Sequence, residues 1–268
     1  MQEYGDFLGY NMTFSVMYED ESVLVLNKPA GVTVNRADTT KNEITVQEWV
    51  EDYLKIPKSE IPNTSQKQNT HNQESLECIG SDVEFLHRSG IVHRLDKETS
   101  GILLIAKTLT AFENLQKQFK ERLVKKTYSA LVHGRVLPEE GIINAPVGRQ
   151  SWNRKRFGVV AGGREALTRY KTIRNITSKT QKETLTLLGL YPETGRTHQI
   201  RVHLKYIGYP IFGDPLYAGR KTSRTDRKIL SRVFLHASKI SFFHPQTEKS
   251  VTFESELPNE LQQVLEEV

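Results

Sequence analysis

The most strand-like segment of the chain, Gly101-Ile102-Leu103-Leu104-Ile105-Ala106, constrains the fold more than any other feature. A continuous apolar run of this length is typical of a strand that is buried within a sheet. A chain of 268 residues can supply the surroundings, because proteins of this size bury about 75% of the surface that their unfolded chains expose. We therefore expect a buried strand at 101–106.

Hydrophobic periodicity predicts the remaining elements, and strands outnumber helices among them. Thr45 and Glu48 have the spacing of a capping box at a helix start, and Thr110 with Glu113 predicts a second helix start. Strands are predicted at 14–18, 23–26, 126–132, 166–173, 184–191, 233–242 and 250–254, and further helices at 197–207, with Thr197 as its N-cap, and at 258–267. The late strands follow one another as in hairpins. The predicted fold class is therefore α+β, a single domain (residues 1–268) on a mostly antiparallel mixed β-sheet with flanking helices.

Residues 57–77 differ in composition from the rest of the chain. Eleven of these 21 residues are Asn, Gln, Ser or Thr, and the only aliphatic ones are Ile61 and Leu76. Such a segment cannot bury enough apolar area to offset its chain entropy. We predict a disordered insertion within the domain, since long surface insertions cost little closure entropy.

The charge of the chain is mildly basic and clustered. The 37 Lys and Arg residues against 32 Asp and Glu residues give a net charge of +5, with a pI near 9.1. Basic residues gather at 117–126, 149–156 and 220–232, whereas acids gather near the C-terminus. A clustered basic surface suits a polyanion, although ordinary solvated charge has the same composition.

Composition also excludes several classes of protein and site. The single cysteine, Cys78, excludes an intramolecular disulfide framework and a multi-cysteine zinc site. No stretch approaches the roughly 18 consecutive apolar residues of a transmembrane helix. Residues 1–11 lack the basic start and apolar run of a signal peptide. We therefore expect a soluble, cytoplasmic protein that does not insert into membranes.

The first candidate site is the polar segment directly before the predicted buried strand at 101–106. It contains His93, Arg94 and Asp96 within four residues, between apolar neighbours that are expected to hold it on the core. Polar loops held on rigid elements are favoured places for catalytic groups. A salt-bridged turn is the alternative, because an Asp beside Arg and Lys is common in turns.

The second candidate site is the predicted helix at 197–207. His198, Arg201 and Lys205 share one helical face, and a helix start with adjacent Arg196 and His198 suits an anion. His198 and His203 are about 140° apart around a helix, so they would not chelate one metal ion. A helix with a solvated basic face is the alternative.

The third candidate site is Tyr128, within an alternating segment that runs from Lys126 to Val132. Alternation puts Tyr128 on the same side of a strand as Ala130 and Val132. A tyrosine on the inner face of a strand is usually a core residue whose hydroxyl finds a partner, so this segment alone does not predict a function.

Taken in order, these segments resemble a known family. His93-Arg94-Leu95-Asp96 followed by Thr99-Ser100-Gly101 closely resembles the signature of the RluA-type pseudouridine synthases. Further similar segments lie at 25–31, 126–130, 194–203, 208–217 and 234–237, so the resemblance covers about residues 14–256. It implies a pseudouridine-synthase-like catalytic domain with a central RNA-binding cleft.

The resemblance also implies a reaction. Members of the family isomerise uridine to pseudouridine within RNA: the N1–C1′ bond breaks, the uracil turns and a C5–C1′ bond forms, without a cofactor or metal. The resemblance assigns the catalytic carboxylate to Asp96, its guanidinium partner to Arg201, and the aromatic wall against the uracil to Tyr128. A nearby guanidinium keeps a carboxylate ionised, because it lowers the pKa of an Asp that burial would raise.

Structured RNA, either rRNA or tRNA, is the partner that the resemblance implies, and a monomer is expected. The target uridine must be flipped out of its stack, at a cost of a few kcal/mol. The candidate RNA-contacting residues are Lys28, His93, Arg94, Arg149, Arg154, Arg156, Arg196 and His198. Residues 149–156, with Trp152 and Phe157, are expected to form a mobile loop that stacks on bases and holds phosphates. Since 13 residues precede Phe14, the small S4-type N-terminal RNA-binding domain of many relatives is expected to be absent.

Two other functions are compatible with the residues. A catalytically inactive RNA-binding relative would share the basic surface but has no chemical reason to keep Asp96, Tyr128 and Arg201 together. A glycosidase-like hydrolase would need a second carboxylate within about 10 Å of Asp96, for which Glu98 is the candidate.

Overall fold

The structure, a computed structural model, describes residues 2–4, 14–36, 43–56, 76–151, 153–177 and 183–268. Within these ranges the chain forms two compact units. The first comprises the described residues up to Lys97 together with Ile102–Leu123 and Phe243–Val251, and the second comprises Glu98–Gly101, Val124–Phe242 and Thr252–Val268. The interpretation of the chain as one catalytic domain stays a prediction. Residues 57–75 of the predicted insertion lie outside the described ranges.

The first unit combines a small sheet with three helices. Its elements are β1 (Gln2–Tyr4), β2 (Phe14–Glu19), β3 (Val23–Lys28), α1 (Val46–Tyr53), α2 (Leu76–Arg88), most of β4 (Ser100–Ala106) and α3 (Leu109–Lys120). The strands lie in the order β1-β2-β3-β4, with β1 antiparallel to β2 and β2 antiparallel to β3. Every residue of β4 is buried, which confirms the prediction of a buried strand from its continuous apolar run.

The helix starts of this unit differ in how well the sequence predicts them. The capping box of α1 is confirmed, because Glu48 N–H donates to the Thr45 hydroxyl and the Glu48 carboxylate accepts from Thr45 N–H. The predicted start of α3 at Thr110 is wrong, because the Thr108 hydroxyl accepts from Ala111 N–H and caps the helix two residues earlier. Helix α2, which begins at the end of the predicted insertion, has no counterpart among the predicted elements.

The second unit is built on a larger sheet. Its elements are β5 (Lys125–His133), β6 (Glu140–Asn144), β7 (Val147–Gln150), β8 (Asn153–Val159), β9 (Leu167–Thr177), β10 (Thr184–Pro192), α4 (Gln199–Tyr206), α5 (Arg220–Asp226), most of β11 (Leu235–Phe243), most of β12 (Ser250–Glu254) and α6 (Asn259–Glu267). The main strands lie in the antiparallel order β11-β5-β10-β9-β6, and β12 pairs with β11. Ser100 and Gly101 of β4 pair in parallel with His236 and Ala237, so the sheet is mixed but mostly antiparallel.

Two glycines bracket the segment that carries Asp96, and both are required by close approaches of the backbone. Gly90 has φ +73°, and a Cβ there would overlap the carbonyl oxygen of Ala106 within the first unit. Gly101 has φ +110°, and a Cβ there would overlap the carbonyl oxygen of Ala237 within the second unit. Both conformations are ones that L side chains rarely adopt.

No helix among the described residues is long and apolar enough to cross a membrane.

Candidate active site

The segment that carries Asp96 is fixed to the first unit by its backbone and by His93. Leu95 is buried, and the His93 Nε2 atom accepts a hydrogen bond of 2.9 Å from the backbone N–H of Leu104 on β4. The His93 ring also stacks on Phe119, with 5.1 Å between the ring centroids. His93 therefore fixes the residues before Asp96 against β4.

Lys28 is wholly buried and holds the residue that follows Asp96. Its ammonium donates hydrogen bonds to the carbonyl oxygens of Pro29 (2.8 Å), Val32 (2.8 Å) and Lys97 (3.2 Å). The backbone N–H of Gly31 donates to the same Lys97 oxygen at 2.8 Å. This environment does not favour the predicted contact of Lys28 with RNA, because an ammonium buried among carbonyl oxygens cannot also face a phosphate in solvent. The observed role of Lys28 is to fix the turn at 29–32 against the Asp96–Lys97 stretch.

Glu98 is held within the second unit. Its carboxylate forms an ion pair with Arg227, at 2.8 Å between Oε1 and Nη2, and accepts from the backbone N–H of Val233 at 3.0 Å. Arg232 donates to the Glu98 carbonyl oxygen at 3.1 Å. Both carboxylate oxygens are therefore engaged in anchoring the chain, which argues against Glu98 as the second carboxylate of a hydrolase.

Asp96 lies one residue before the point at which the chain passes from the first unit to the second. Its side chain is half-buried, and that of Arg94 is exposed. Arg201 and Tyr128 belong to the second unit, so the predicted pairing of Asp96 with Arg201 stays a prediction.

Tyr128 lies on β5, an interior strand of the second unit's sheet. It is opposite Leu190 of β10 and Ala237 of β11, and its side chain is buried. Lys126 precedes it by two residues on the same side of the strand, and burial lowers the pKa of this lysine to about 8 although part of its side chain is exposed.

Arg201 forms a buried, bidentate ion pair with Asp214. Arg201 Nε donates to Asp214 Oδ2 at 2.7 Å, and Nη2 donates to Oδ1 at 3.0 Å. The backbone N–H groups of Leu216 and Tyr217 donate to the same carboxylate at 2.9 and 3.1 Å. The guanidinium is therefore held in one orientation by a carboxylate of its own unit. The alternative interpretation of α4, a solvated basic face, does not hold at Arg201, which is 6% exposed.

One aromatic ring lies against this ion pair, and further side chains contact that ring. The Arg201 guanidinium lies 5.2 Å from the centroid of the Tyr217 ring. The Tyr217 hydroxyl makes a hydrogen bond of 2.9 Å with His198 Nδ1 and accepts from the backbone N–H of Phe157 at 3.3 Å. Arg149 lies 5.5 Å from the centroid of the Phe157 ring. We call these five residues, Arg149, Phe157, His198, Arg201 and Tyr217, the cation–aromatic cluster.

The start of α4 differs from the predicted one. Thr197 does not cap the helix, because His198 occupies the N-cap position with φ +56° and makes no side-chain capping bond. The Gln199 side chain instead accepts from the backbone N–H of Arg196 at 2.9 Å. A left-handed conformation costs a non-glycine residue of order 1–3 kcal/mol, so such residues gather at functional sites. At His198 this conformation accompanies the hydrogen bond to Tyr217.

His203 of α4 is a structural residue. It is fully buried, with ring nitrogens 2.9 Å from the Thr168 hydroxyl and 2.9 Å from the Ala145 carbonyl oxygen. Burial lowers its pKa, and the carbonyl requires a proton on Nε2. His203 is therefore a neutral imidazole that ties α4 to the sheet.

The predicted mobile loop at 149–156 is wrong in its secondary structure. Residues 149–150 belong to β7 and residues 153–156 to β8, and these two strands pair antiparallel; Trp152 lies outside the described residues. Arg149 is exposed, Arg156 is half-buried, and Arg154 lies on β8 with its side chain outside the described part of the chain. Arg196 is tied to the backbone, since its Nε donates to the Glu165 carbonyl oxygen at 3.0 Å.

Two site residues were not predicted, Asp214 and Tyr217. Their only sequence signal is their place in the segment 208–217 that resembles the family's turn. Among the residues that the structure describes, no three His, Cys, Asp or Glu side chains are grouped as metal ligands.

Comparison with known proteins decides the family. The model of the RNA pseudouridylate synthase family matches residues 22–206, which is more than half of the chain. The chain belongs to the RNA pseudouridylate synthase family. The resemblance to the RluA-type pseudouridine synthases is thereby confirmed.

Other pseudouridine synthases are similar to this one over most of its length. An uncharacterized RNA pseudouridine synthase of Bacillus subtilis is 35% identical over 262 residues, covering 97% of this chain and 75% of the relative. The ribosomal large subunit pseudouridine synthase D of Pseudomonas aeruginosa is 34% identical over 264 residues, covering 96% and 72%. The solved structure of human RNA pseudouridylate synthase domain containing 1 superposes with a TM-score of 0.64 at 24% identity, covering 95% of both chains, and confirms the α+β fold of this pseudouridine synthase.

Proposed function

We propose that this pseudouridine synthase isomerises specific uridines of ribosomal or transfer RNA, with Asp96 as its catalytic carboxylate. The relatives named for the ribosomal large subunit support ribosomal RNA as the first substrate to test. The observation that carries the proposal is that the His-Arg-Leu-Asp segment is held in place. The His93 ring is bonded to β4, and Lys28 is bonded to the carbonyl oxygen of Lys97, the residue after Asp96. Asp96 itself keeps part of its surface exposed. We expect the enzyme to act as a monomer in the cytoplasm, without a metal or other cofactor.

The reaction breaks N1–C1′, turns the uracil, forms C5–C1′, releases the C5 proton to water and adds a proton to N1. Asp96 has three possible roles in it: attack on C1′, addition to the base, or removal of the C2′ proton. Each of them requires an ionised carboxylate. The guanidinium proposed to act with it is that of Arg201, whose orientation is already fixed by Asp214.

Tyr128 completes the proposed catalytic set. The detached uracil must stay stacked while it turns, and an aromatic ring provides a flat apolar wall for this. The phenol is also able to carry the C5 proton. Arg94, which is exposed beside Asp96, is proposed to fill the vacated stack or to hold a phosphate, and Arg149, Arg154, Arg156 and Arg196 to bind the RNA backbone.

Tritium release from RNA labelled at uridine C5 tests this function directly. We expect Asp96→Asn and Asp96→Ala to abolish tritium release while RNA binding is retained, because the reacting carboxylate is lost and the cations are not. Asp82→Asn, which changes an exposed acid of α2, is the matched control. Undiminished turnover by Asp96→Ala would refute the assignment.

The same assay separates the alternatives. A catalytically inactive RNA-binding relative gives no tritium release from total cellular RNA with the unaltered chain. A hydrolase gives free uracil in place of pseudouridine, which chromatography of the reaction products distinguishes.

A further inference from the structure

The second unit contains a concave pocket whose lining includes none of the proposed catalytic residues Asp96, Tyr128 and Arg201. Its volume is about 810 Å³, and its walls come from β8, the C-terminal half of α4, the turn at 215–219 and α5. Five of its lining residues are basic: Arg156, Lys205, Arg220, Arg224 and Arg227. None of the lining residues that the structure describes is acidic, so the pocket is suited to an anion.

Helix α5 presents its cations to this pocket selectively. Arg220 and Arg224 of α5 and its C-cap Arg227 are spaced by four and three residues, which puts them on one helical face, and all three line the pocket. The charge of Arg227 is already balanced by Glu98, so Arg220 and Arg224 are the cations of this face that favour an anion. Lys221 and Lys228 belong to the same basic run but are not among the lining residues. Like charges at this spacing destabilise a helix, and a bound anion would relieve that repulsion.

The pocket also offers groups that suit a nucleotide base and sugar. Tyr206 lines it and is 61% exposed, which is unusual for an aromatic side chain. The side-chain oxygen of Gln150, another lining residue, is buried and has no hydrogen-bond partner among the described residues. An aromatic face stacks on any base, and an amide oxygen accepts from a base N–H or a ribose hydroxyl.

The size and position of the pocket indicate how much RNA it takes. Its volume lies within the range of about 300–1,000 Å³ that is typical of small-ligand pockets, which is too small for a duplex. Phe157 and Tyr217 line it and also belong to the cation–aromatic cluster around Arg201. A nucleotide in the pocket is thus close to one of the proposed catalytic residues.

We propose that this pocket binds an unpaired nucleotide of the substrate RNA that flanks the target uridine. Arg220, Arg224 and Lys205 hold the phosphate, and Tyr206 stacks on the base. The inference rests on the proposed function for the identity of the RNA, and it makes α5 a determinant of affinity for single-stranded substrate.

Binding of a short, fluorescently labelled, uridine-rich single strand to the full chain tests the phosphate contacts. In the double variant Arg220→Ala/Arg224→Ala we expect weaker binding and a salt dependence of log K that is shallower by about 0.7 for each phosphate that is no longer neutralised. The matched control is Lys221→Ala/Lys228→Ala, which removes the same charge from the same segment outside the pocket and should have a much smaller effect. Equal weakening in the two double variants would show general electrostatic attraction and overturn the proposal.

Tyr206 tests the base contact. We expect Tyr206→Ala to weaken single-strand binding about 5-fold to 150-fold, the range found for base–aromatic stacking, and Tyr206→Phe to restore it. Because Tyr206 is exposed, neither change should lower the thermal unfolding midpoint appreciably. The proposal is contradicted if Tyr206→Ala binds the single strand as tightly as the unaltered chain does. It is also contradicted if the unaltered chain binds a blunt RNA duplex of equal length more tightly than the single strand.

Binding and tritium release together distinguish an error in the pocket proposal from an error in the proposed function. If the pocket variants bind as the unaltered chain does while Asp96→Asn abolishes tritium release, only the pocket proposal fails. If the unaltered chain releases no tritium but the arginine pair and Tyr206 still determine single-strand binding, the pocket stands and the proposed function fails.

Discussion

Arg201 and Asp214, thirteen residues apart, form a buried ion pair in which two guanidinium nitrogens meet both carboxylate oxygens. The backbone of the following turn donates two further hydrogen bonds to Asp214, so the carboxylate is saturated. A guanidinium held in this way does not have to be ordered when the substrate arrives. Asp214 is therefore a positioning residue for Arg201.

Replacing Asp214 with Asn should destabilise the protein and slow pseudouridine formation together. The change leaves a buried guanidinium without its counter-charge, which costs about 3–5 kcal/mol. Glu193→Gln is the control, since it removes the acid of the exposed Arg169–Glu193 pair at 2.6 Å and should cost less than about 1 kcal/mol. Urea unfolding and tritium release measure the two effects, and equal costs for both variants would contradict the role of Asp214.

Lys28→Met should loosen the segment that carries Asp96. The change keeps the length of the side chain but leaves three carbonyl oxygens without the ammonium, at an expected cost of about 1.5–3 kcal/mol in the free energy of unfolding. Lys97→Met removes an ammonium that pairs with Glu43 on the surface, so it should cost less than about 1 kcal/mol. Urea unfolding of the two variants gives the comparison, and the prediction is wrong if Lys28→Met is the milder change.

Gly101→Ala and Gly31→Ala separate steric overlap from backbone strain. Both glycines have positive φ, +110° and +87°, but only a Cβ on Gly101 meets other atoms within 4 Å. Gly31→Ala should therefore cost only the roughly 1–2 kcal/mol of a left-handed conformation. Gly101→Ala should cost more, because β11 must move away. Thermal unfolding of the two variants tests this, and similar midpoints would show that β11 yields easily.

His133 should make stability depend on pH. Its ring lies between Glu183 (2.9 Å) and Asp226 (3.0 Å); burial alone lowers its pKa, but the two carboxylates raise it overall above the ordinary value of 6.5. A raised pKa in the folded state gives stability that is fully present below pH 6.5 and is lost as the pH rises through the higher value. This contribution to the free energy of unfolding should therefore decline above pH 6.5.

Glu183→Gln is the variant that tests this pH dependence, because Glu183 is partly exposed and its loss should not prevent folding. The variant should be less stable than the unaltered chain near pH 6 and approach it above the raised pKa. NMR titration should show a lower pKa for His133 in the variant. A difference in stability that grows with pH has the wrong sign for this assignment.

The sheet is largely predictable from the sequence because the apolar pattern of each strand indicates which of its residues are buried. The continuous runs at 23–26 and 101–106 and the alternation at 126–132 require no knowledge of their neighbours. Helix α5 is different, because Arg220–Asp226 has no apolar stripe. Its buried residues, Ser223 and Asp226, are polar, and Asp226 is satisfied by His133, which is 93 residues away.

The candidate site is predicted only in part. Ordered family motifs point to Asp96, Tyr128 and Arg201, whereas the partner of Arg201 depends on tertiary structure. Asp214 stands in a Gly-Asp-Pro sequence that indicates only a turn. No local spacing reveals that its carboxylate, rather than solvent, meets the guanidinium of α4.

The burial of Lys28 also makes it a natural reporter. Amine-reactive reagents reach the exposed ammonium of Lys97 at once, but they reach Lys28 only when the turn at 29–32 opens. The rate at which native protein is acetylated at Lys28 therefore measures how often the backbone beside Asp96 comes loose, and a substrate that stabilises the closed turn should slow that labelling.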